Sequence, residues 1–181
     1  PTRRSSDLII VLQPASLLLV DQHLAHVNIL YDVFLRRFDE QLSCTQQLLF
    51  PDTIDLSADD ARLLYSALPD FRRLGFDIEA IGPESFVING VPPELGDCND
   101  VRTLLDMISE LPTNADLEQH WHQQMALSLA RKVAIPNGKK MSADECVDLV
   151  KRLLKLPSPL YTPDGKKTVA TLSTQDIARL M

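Results

Sequence analysis

The pattern of hydrophobic and polar positions opens with two apolar runs that predict a β-hairpin. Residues 8–12 and 16–20 are almost wholly aliphatic, and a short turn that contains Pro14 separates them. Because neither run alternates with polar residues, we expect both strands to be buried on both faces. Residues 1–7 show no periodicity and are assigned to a disordered tail or a sequence scar outside the fold.

A long amphipathic helix is predicted immediately after the hairpin. Asp21 is a residue type favoured at helix N-caps, and apolar residues then recur every three or four positions over about five turns. Such a stripe requires a large apolar surface to pack against. Its members are Leu24, Val27, Tyr31, Phe34 and Phe38.

The remaining pattern predicts short strands and helices in an irregular order. An extended segment at 46–51 precedes a helix that Ser57 opens, and a second hairpin spans residues 76–89. Three helices and a strand follow, and Ser173 with Asp176 opens a final short helix. The predicted helices cover 101–111, 117–134 and a segment that starts at Ser142, and the strand covers 168–172. This order of strands and helices is typical of an α+β fold.

Composition is that of an ordinary soluble globular protein. The chain has 181 residues, of which 45% are hydrophobic and 24% charged, and it contains no apolar run long enough to span a membrane. Without a secretory signal pattern, we expect a cytoplasmic location and no membrane partner. The cysteines are odd in number and widely spaced, which favours reduced thiols over a disulfide framework or a zinc site. They are Cys44, Cys98 and Cys146.

Charge is distributed unevenly along the chain. Residues 1–117 carry 8 basic and 19 acidic side chains, whereas residues 118–181 carry 10 basic and 6 acidic ones, including every lysine. A dedicated duplex-DNA binder usually presents a broad basic face, because phosphate neutralisation supplies most of its non-specific affinity. We therefore expect contact with DNA to be weak or indirect.

A family resemblance rests on motifs that occur in a characteristic order. Asp21-Gln22-His23, at the start of the first helix, resembles the Asp-Gln-His-Ala signature of the C-terminal domain of MutL mismatch-repair proteins. The further matching segments are residues 46–51 (Gln-Gln-Leu-Leu-Phe-Pro), 74–78 (Leu-Gly-Phe-Asp-Ile), 140–142 (Lys-Met-Ser) and 161–166 (Tyr-Thr-Pro-Asp-Gly-Lys). The match covers nearly the whole chain from Leu8 onward.

The resemblance implies a two-subdomain MutL C-terminal-like fold. Residues 8–51 and 117–181 would form a discontinuous dimerisation subdomain, and residues 52–116 an inserted external or regulatory subdomain. Such a domain forms a homodimer that holds two N-terminal ATPase arms together during mismatch repair. Its expected partners are a MutS-type mismatch-recognition protein and the sliding clamp. ATP and magnesium belong to the separate N-terminal region, so we expect no cofactor in this chain.

The resemblance also raises a second function, that of a metal-dependent DNA-nicking endonuclease. Many family members carry a nuclease motif, and Asp21, His23, Asp32 and Asp164 occupy its positions here. Val27 replaces a glutamate of that motif and Arg131 replaces a cysteine, so most of the ligands that would activate water are missing. A degenerate, oxygen-rich site remains the alternative. The favoured interpretation is that Asp21 caps a helix and that His23 is a structural residue.

A second histidine and a short peptide complete the candidate chemistry. His23 and His26 share one helical face, which permits metal binding, although a structural role is favoured. Gln46-Gln47-Leu48-Leu49-Phe50 resembles the peptide by which bacterial repair proteins dock on the sliding clamp, with Gln46, Leu49 and Phe50 as the contact residues. The alternative is that Leu48 and Phe50 point inward from a connecting strand.

The dimer interface is predicted from the surplus of apolar surface. The hairpin and the first helix present more of it than one small chain covers readily, which suits a two-fold interface. The candidates are Leu24, Val27, Tyr31, Phe34, Ile177 and Leu180, and the alternative for each is the intrachain core. A small-molecule-binding or enzymatic α/β domain is a third class, which a large polar pocket would indicate.

Overall fold

The computed structural model describes residues 7–14, 16–40, 44–95, 100–110, 121–173, 175–176 and 179. The residues of the predicted tail before Asp7, together with Cys98, Ile177 and Leu180, lie outside this description. In chain order the strands and helices are β1 (Leu8–Gln13), β2 (Ser16–Asp21), α1 (Gln22–Glu40), β3 (Gln46–Asp55), α2 (Ala58–Leu74), β4 (Asp77–Ala80), β5 (Ser85–Val91), α3 (Asp100–Ser109), α4 (Trp121–Val133), α5 (Ala143–Leu153) and β6 (Val169–Ser173). The fold class is α+β, as predicted.

The described residues form two compact units, each of which has its own small antiparallel sheet. Unit 1 comprises the described residues of 1–32 and 134–181, and unit 2 comprises those of 33–133. The boundaries therefore fall within α1 and just after α4, at positions different from the predicted subdomain limits near 51 and 117. The functional division into dimerisation and external subdomains stays a prediction. Among the described residues, no helix is both long and apolar enough to cross a membrane.

The sheet of unit 1 has the strand order β1-β2-β6. The predicted hairpin is confirmed, since Leu8 pairs with Asp21 and Gln13 with Ser16 in an antiparallel register. Strand β6 joins the other edge of β2, and Val20 pairs with Val169. Residues that pair directly across an antiparallel sheet point to the same face, so these registers define which side chains share each face.

One face of this sheet packs on helices and forms the core of unit 1. Leu18, Val20 and Val169 belong to a cluster with residues of α1 and α5, and Ile9 and Val11 pack against it. The α1 and α5 members are Ala25, Ile29, Leu149, Val150 and Leu153. These helices present aliphatic residues at spacings of three and four, which is the pattern that buries one helical face.

The prediction that the hairpin strands are buried on both faces is wrong for the single chain. Ile10 is 62% exposed and Leu12 is 81% exposed, although both lie in the middle or second half of β1. Strand β1 is an edge strand, and Ile10 and Leu12 do not belong to the hydrophobic cluster that the sheet forms with α1 and α5. The apolar run of β1 therefore contributes to two faces of the sheet. Ile9 and Val11 pack against the core, whereas Ile10 and Leu12 are largely exposed.

The ends of the helices follow local hydrogen-bond chemistry that the sequence predicts well. Ser57 caps α2 by accepting a hydrogen bond from the Asp60 backbone N–H. Ser142 and Glu145 form a complete capping box at the start of α5, with reciprocal side-chain to backbone bonds. Ser173 and Asp176 make the same reciprocal pair before the helical residues 175–176.

Unit 2 is built on the sheet β3-β5-β4. Its core is richer in aromatic residues than that of unit 1, and the ring of Phe71 meets that of Phe76 edge-on at 5.6 Å between centroids. An ion pair between the buried Arg37 and the half-buried Glu94 spans 2.6 Å, and Arg37 also donates to the Leu74 carbonyl oxygen. These bonds hold the end of α2 and the turn after β5 to the second half of α1.

Gly75 ends α2 in the left-handed conformation, with φ of 109°. A Cβ atom there would lie 2.3 Å from the carbonyl oxygen of Cys44, whereas a Cβ at Gly138, with φ of 84°, would meet nothing within 4 Å. We predict that Gly75→Ala lowers the free energy of unfolding by about 3 kcal/mol, and Gly138→Ala by only about 1 kcal/mol. Urea unfolding of the two variants measures this, and equal losses would contradict the role of the close contact.

Candidate functional site

The Asp-Gln-His segment joins β2 to α1 in unit 1. Asp21 accepts a hydrogen bond from the backbone N–H of Leu24 through Oδ1 (2.9 Å), which caps α1 as predicted. Its own backbone N–H donates to the carbonyl oxygen of Thr168 at 3.0 Å. The residue is buried, so its carboxylate and backbone fix the start of the helix against the strand region that leads into β6.

The next residues of the segment hold the loop between α4 and α5, which we call the 135–139 loop. Gln22 donates through Nε2 to the Lys139 carbonyl oxygen at 2.9 Å. His23 Nδ1 donates to the Ile135 carbonyl oxygen at 2.9 Å, and His26 Nδ1 accepts from the Ile135 backbone N–H at the same distance. Both backbone groups of one residue are therefore satisfied by imidazoles one helical turn apart.

These bonds assign opposite tautomers to the two histidines. Because a carbonyl oxygen only accepts, His23 carries its proton on Nδ1, and because a backbone N–H only donates, His26 has none there. Burial, followed by the nearby charges of Arg152, His23 and Lys139, lowers the pKa of His26 from 6.5 to about 4. His26 is thus a neutral structural acceptor at neutral pH, as the favoured interpretation of the pair predicts.

Asp7 adds a further bond to the same loop. Its Oδ1 accepts from the Gly138 backbone N–H at 2.6 Å, and the residue is 9% exposed. The sequence placed Asp7 in the tail, because a single acidic residue before an apolar run carries no signal of a partner far along the chain. In the structure it belongs to the fold.

The late loop around Asp164 is closed by its own hydrogen bonds. Thr162 Oγ1 donates to Asp164 Oδ1 at 2.6 Å and accepts from the Lys166 backbone N–H, while the Lys166 ammonium lies 3.1 Å from Asp164. On α1, Asn28 donates to the carbonyl oxygens of Ser158 and Tyr161 and so holds the chain that enters this loop. The Asp164 carboxylate therefore stabilises a turn.

The degenerate nuclease positions do not converge on a metal centre in the described residues. Asp21 and Asp164 accept the hydrogen bonds described above, and His23 Nδ1 donates to the Ile135 carbonyl oxygen. Asp32 lies further along α1 and is half-buried. Across the part of the chain that the structure describes, no group of three or more His, Cys, Asp or Glu side chains is placed to hold a metal ion. The residues present do not fit the metal site of the family's nuclease motif.

The predicted clamp-binding peptide lies on β3, an edge strand of unit 2. Gln46 pairs with Val91 and Gln47 with Gly90, but the register then shifts, and pairing resumes only at Asp52 with Ile88. Residues 48–51 therefore stand opposite Asn89 alone, and we call them the β3 bulge. Proline at position 51 has no backbone N–H to give to the ladder, which accounts for the loss of pairing here.

The β3 bulge presents two large apolar side chains to solvent. Leu49 is 93% exposed and Phe50 is 85% exposed, whereas Leu48 is half-buried. The alternative in which both Leu48 and Phe50 point inward therefore does not hold for Phe50. Gln46 is exposed, and the side chain of its neighbour Gln47 is bonded to Asp77 at 3.3 Å, so Gln46 is the glutamine better placed to meet a partner.

A second apolar surface lies on the face of the unit 1 sheet opposite its core, and we call it the open sheet face. The strand registers assign to it Ile10 with Leu19, Leu12 with Leu17, and the β6 neighbours of those β2 residues. Apart from the exposed Ile10 and Leu12, its members are half-buried. Its members are Ile10, Leu12, Leu17, Leu19, Ala170 and Leu172.

The described interface candidates that were chosen from the sequence do not lie on the open sheet face. Leu24, Val27 and Phe34 are buried within the chain, which is the alternative that the sequence left open, and Tyr31 is half-buried. Burial raises the pKa of the Tyr31 hydroxyl above its usual range. The sequence indicates that the hairpin contributes surplus apolar surface, but none of its residues was chosen as a candidate, because the strand register that decides which side chains share the open sheet face is not visible in the sequence. The signal for this surface is the aliphatic run at residues 8–12 of β1.

A pocket of about 220 Å³ lies in unit 2 beside α4. Its lining is mixed, with Met107 and Trp121 beside Glu110 and Ser128. Small-molecule sites usually occupy about 300 to 1,000 Å³, so this pocket gives little support to a small-molecule-binding domain.

An α+β fold with exposed apolar surfaces on a capped, hydrogen-bonded scaffold is typical of a domain that assembles proteins. Comparison with known families agrees with this class. A family model described as "MutL C terminal dimerisation domain" matches residues 5–141. The chain belongs to this family.

The chain is also similar to part of several longer proteins. The chain is 35% identical to the "DNA mismatch repair protein MutL" of Bacteroides fragilis over 92% of this chain and 27% of that protein. Proteins of the same name from Porphyromonas gingivalis and Chlorobaculum tepidum are 36% and 34% identical, over 90% and 91% of this chain and 26% of each relative. The chain thus spans about a quarter of the length of these relatives.

The lowered pKa of His26 predicts that the free energy of unfolding decreases at acidic pH. In the unfolded chain His26 binds a proton near pH 6.5, whereas in the folded chain it stays neutral down to about pH 4. The stability that it contributes is therefore fully present above pH 6.5 and is lost as the pH falls toward 4. Allowing for solvent screening of a partly exposed ring, we expect a loss of about 1 to 2 kcal/mol.

Urea unfolding between pH 7.5 and 4 measures this loss. His26→Gln removes the titration and keeps a side-chain acceptor, so its stability should fall less steeply over this range. Parallel curves for the two proteins would contradict the assignment.

Proposed function

We propose that this chain is a non-catalytic dimerisation and partner-docking domain of a mismatch-repair protein. It would hold two N-terminal ATPase arms together, so that they can close around DNA. The observation that carries the proposal is the open sheet face, an apolar surface on a domain of a dimerisation family. ATP and magnesium would be bound by the ATPase region of the longer protein, and we assign no cofactor to this domain.

The open sheet face is proposed as the dimer contact, with a second copy of this chain as its occupant. Ile10 and Leu12 together expose most of their side-chain area, and Leu17, Leu19 and Leu172 continue the surface across β2 and β6. Burying apolar area stabilises a complex by about 25 cal/mol per Å², so an uncovered aliphatic face of this kind favours association. A two-fold axis allows the same patch on both copies to meet itself.

A charged side chain in the open sheet face should separate the dimer. We predict that Ile10→Asp shifts the protein from dimer to monomer at micromolar concentration, because the carboxylate would be buried without a partner. Ile81, at the β4–β5 turn of unit 2, is 59% exposed against 62% for Ile10 and is the matched control. Light scattering should show a monomer for Ile10→Asp and a dimer for Ile81→Asp. A dimeric Ile10→Asp would contradict the proposed interface.

Docking on the sliding clamp is proposed for the β3 bulge together with Gln46. A glutamine amide supplies directional hydrogen bonds, and adjacent leucine and phenylalanine side chains fill an apolar cleft. The exposure of Leu49 and Phe50 supports this role, because both side chains are available without any rearrangement of the fold. An exposed Leu-Phe pair that had no partner would be an aggregation hazard on an edge strand.

Removing the two exposed side chains of the bulge should abolish most of the clamp affinity. We predict that Leu49→Ala with Phe50→Ala weakens binding by about thirtyfold or more, and that Gln46→Ala alone weakens it by about threefold to tenfold. Val147→Ala with Leu154→Ala removes two side chains, each 50% exposed, from unit 1 and is the control. Surface plasmon resonance on immobilised clamp measures the affinities. Unchanged binding by the Leu49/Phe50 variant would contradict the proposal.

The remaining partners follow from the family and from charge. A MutS-type mismatch-recognition protein is proposed as an upstream partner, and contact with DNA is proposed to be weak or indirect. The acidic excess of residues 1–117 supports this view, since a surface rich in carboxylates repels phosphate. Neither partner is assigned to particular residues.

The alternative, a degenerate metal-dependent endonuclease, has less support. The nearest candidates for ligands, Asp21 and Asp164, accept hydrogen bonds that stabilise a helix cap and a turn. Val27, which stands at a glutamate position of the family motif, is buried and has no ligand atom. The non-catalytic role is therefore the function that we propose.

A further inference from the structure

A glycine lies directly behind the proposed docking peptide. Gly90 of β5 pairs with Gln47 of β3 on one side and with Asp77 of β4 on the other. The side chain of Gln47 crosses the backbone of Gly90 to donate to Asp77 at 3.3 Å. The three residues thus form a row across the sheet, and the absence of a side chain at its centre lets the two outer side chains meet.

The same glycine permits the close approach of the chain that leads into the β3 bulge. A Cβ atom at Gly90 would lie 2.6 Å from Thr45 Cγ2, 3.1 Å from the Gln46 carbonyl oxygen and 3.2 Å from Gln47 Nε2. The first of these distances is shorter than real Cβ atoms show, so a side chain here would turn the Thr45 side chain away and press on the Gln46 carbonyl oxygen and the Gln47 amide. Gly90 therefore permits the close approach of Gln46 and Gln47 to β5.

The second half of the peptide is fixed at its other end. Pairing of β3 with β5 resumes at Asp52, and it continues through Asp55, which pairs with Ser85. The ring of Pro51 restricts the backbone just before this point, and Leu48 is half-buried. Both ends of the β3 bulge are therefore held by the sheet, and its two large apolar side chains, Leu49 and Phe50, are largely exposed.

We infer that the β3 bulge is a preformed docking loop, positioned by Gly90 and by the Gln47–Asp77 bond before any partner arrives. This inference rests on the proposed docking function and deepens it. The partner it fits is a protein with an apolar cleft that accepts two adjacent side chains from a loop fixed at both ends. A free peptide of the same sequence must lose backbone freedom on binding, whereas the loop in the folded domain has already lost it.

If the loop is preformed, the whole domain should bind the clamp more tightly than a free peptide of the same sequence does. A linear peptide of residues 45–52 should bind the clamp about tenfold or more weakly than the whole domain does. The same peptide with its ends joined through a disulfide between added cysteines should recover part of this loss.

A matched pair of glycine variants tests the positioning residue in the whole protein. Gly90→Ala should weaken clamp binding about tenfold, a loss of the size that truncating a single hot-spot contact produces. Gly82→Ala is the control, because a Cβ there would meet its nearest neighbour at an ordinary 3.6 Å. Thermal unfolding followed by circular dichroism checks that both variants fold, and if Gly90→Ala does not, the peptide comparison decides.

The outcomes are distinguishable. If Gly90→Ala binds as Gly82→Ala does, or if the linear peptide binds as tightly as the domain, the loop is not preformed and the inference is wrong. The docking function would still stand if the Leu49/Phe50 variant loses binding. If the unaltered domain does not bind the clamp at all, the docking function falls and this inference with it.

Discussion

The three-stranded sheet of unit 1 is apolar on both faces, and each face must be removed from water. Helices α1 and α5 cover one face with Ala25, Ile29 and Leu153. The other face carries Ile10 and Leu12, both largely exposed in the single chain. Among the described residues of unit 1, the hydrophobic cluster joins these helices to one face of a sheet whose strands are apolar on both faces. A second copy of the chain is the simplest source of the missing cover, and the family to which the chain belongs is a dimerisation family.

The Asp-Gln-His segment, together with His26, joins the start of α1 to the 135–139 loop. Asp21, His23 and His26 bond to backbone groups, namely the Leu24 N–H and both polar groups of Ile135. Because backbone atoms are present whatever the residue type, such a junction can keep its structure when neighbouring ligand positions change. The signature thus has a structural role here beside Val27 and Arg131, which cannot serve as metal ligands. The segment functions as a scaffold between β2, α1 and the 135–139 loop.

Local chemistry made much of the fold predictable from the sequence. The hairpin, the Asp21 cap and the capping box at Ser142 depend on residues within a few positions of one another, and all three are confirmed. The bond between His26 and Ile135 joins residues 109 positions apart, and no periodicity reports such a contact. The β3 bulge depends on the register between β3 and β5, which Pro51 and Gly90 shape from opposite strands.

The open sheet face, like the bond between His26 and Ile135, could not be located from the sequence alone. An apolar run shows that a strand avoids water on both sides, but it does not show whether the cover comes from the same chain or from another. The long stripe on α1 was the stronger periodic signal, yet Val27 and Phe34 are buried within the chain. Four of the six named candidates therefore lie on α1, whereas the largely exposed residues are Ile10 and Leu12 of the hairpin.

Isotope-filtered methyl NMR on a dimer assembled from labelled and unlabelled copies tests the central claim most directly. Only methyl groups that contact the other copy give intermolecular signals in such a sample. The account predicts these signals at Ile10, Leu12, Leu17, Leu19 and Leu172. A dimer whose intermolecular signals arise instead from Val147 on α5 and Leu154 just after it, with none from the open sheet face, would contradict it.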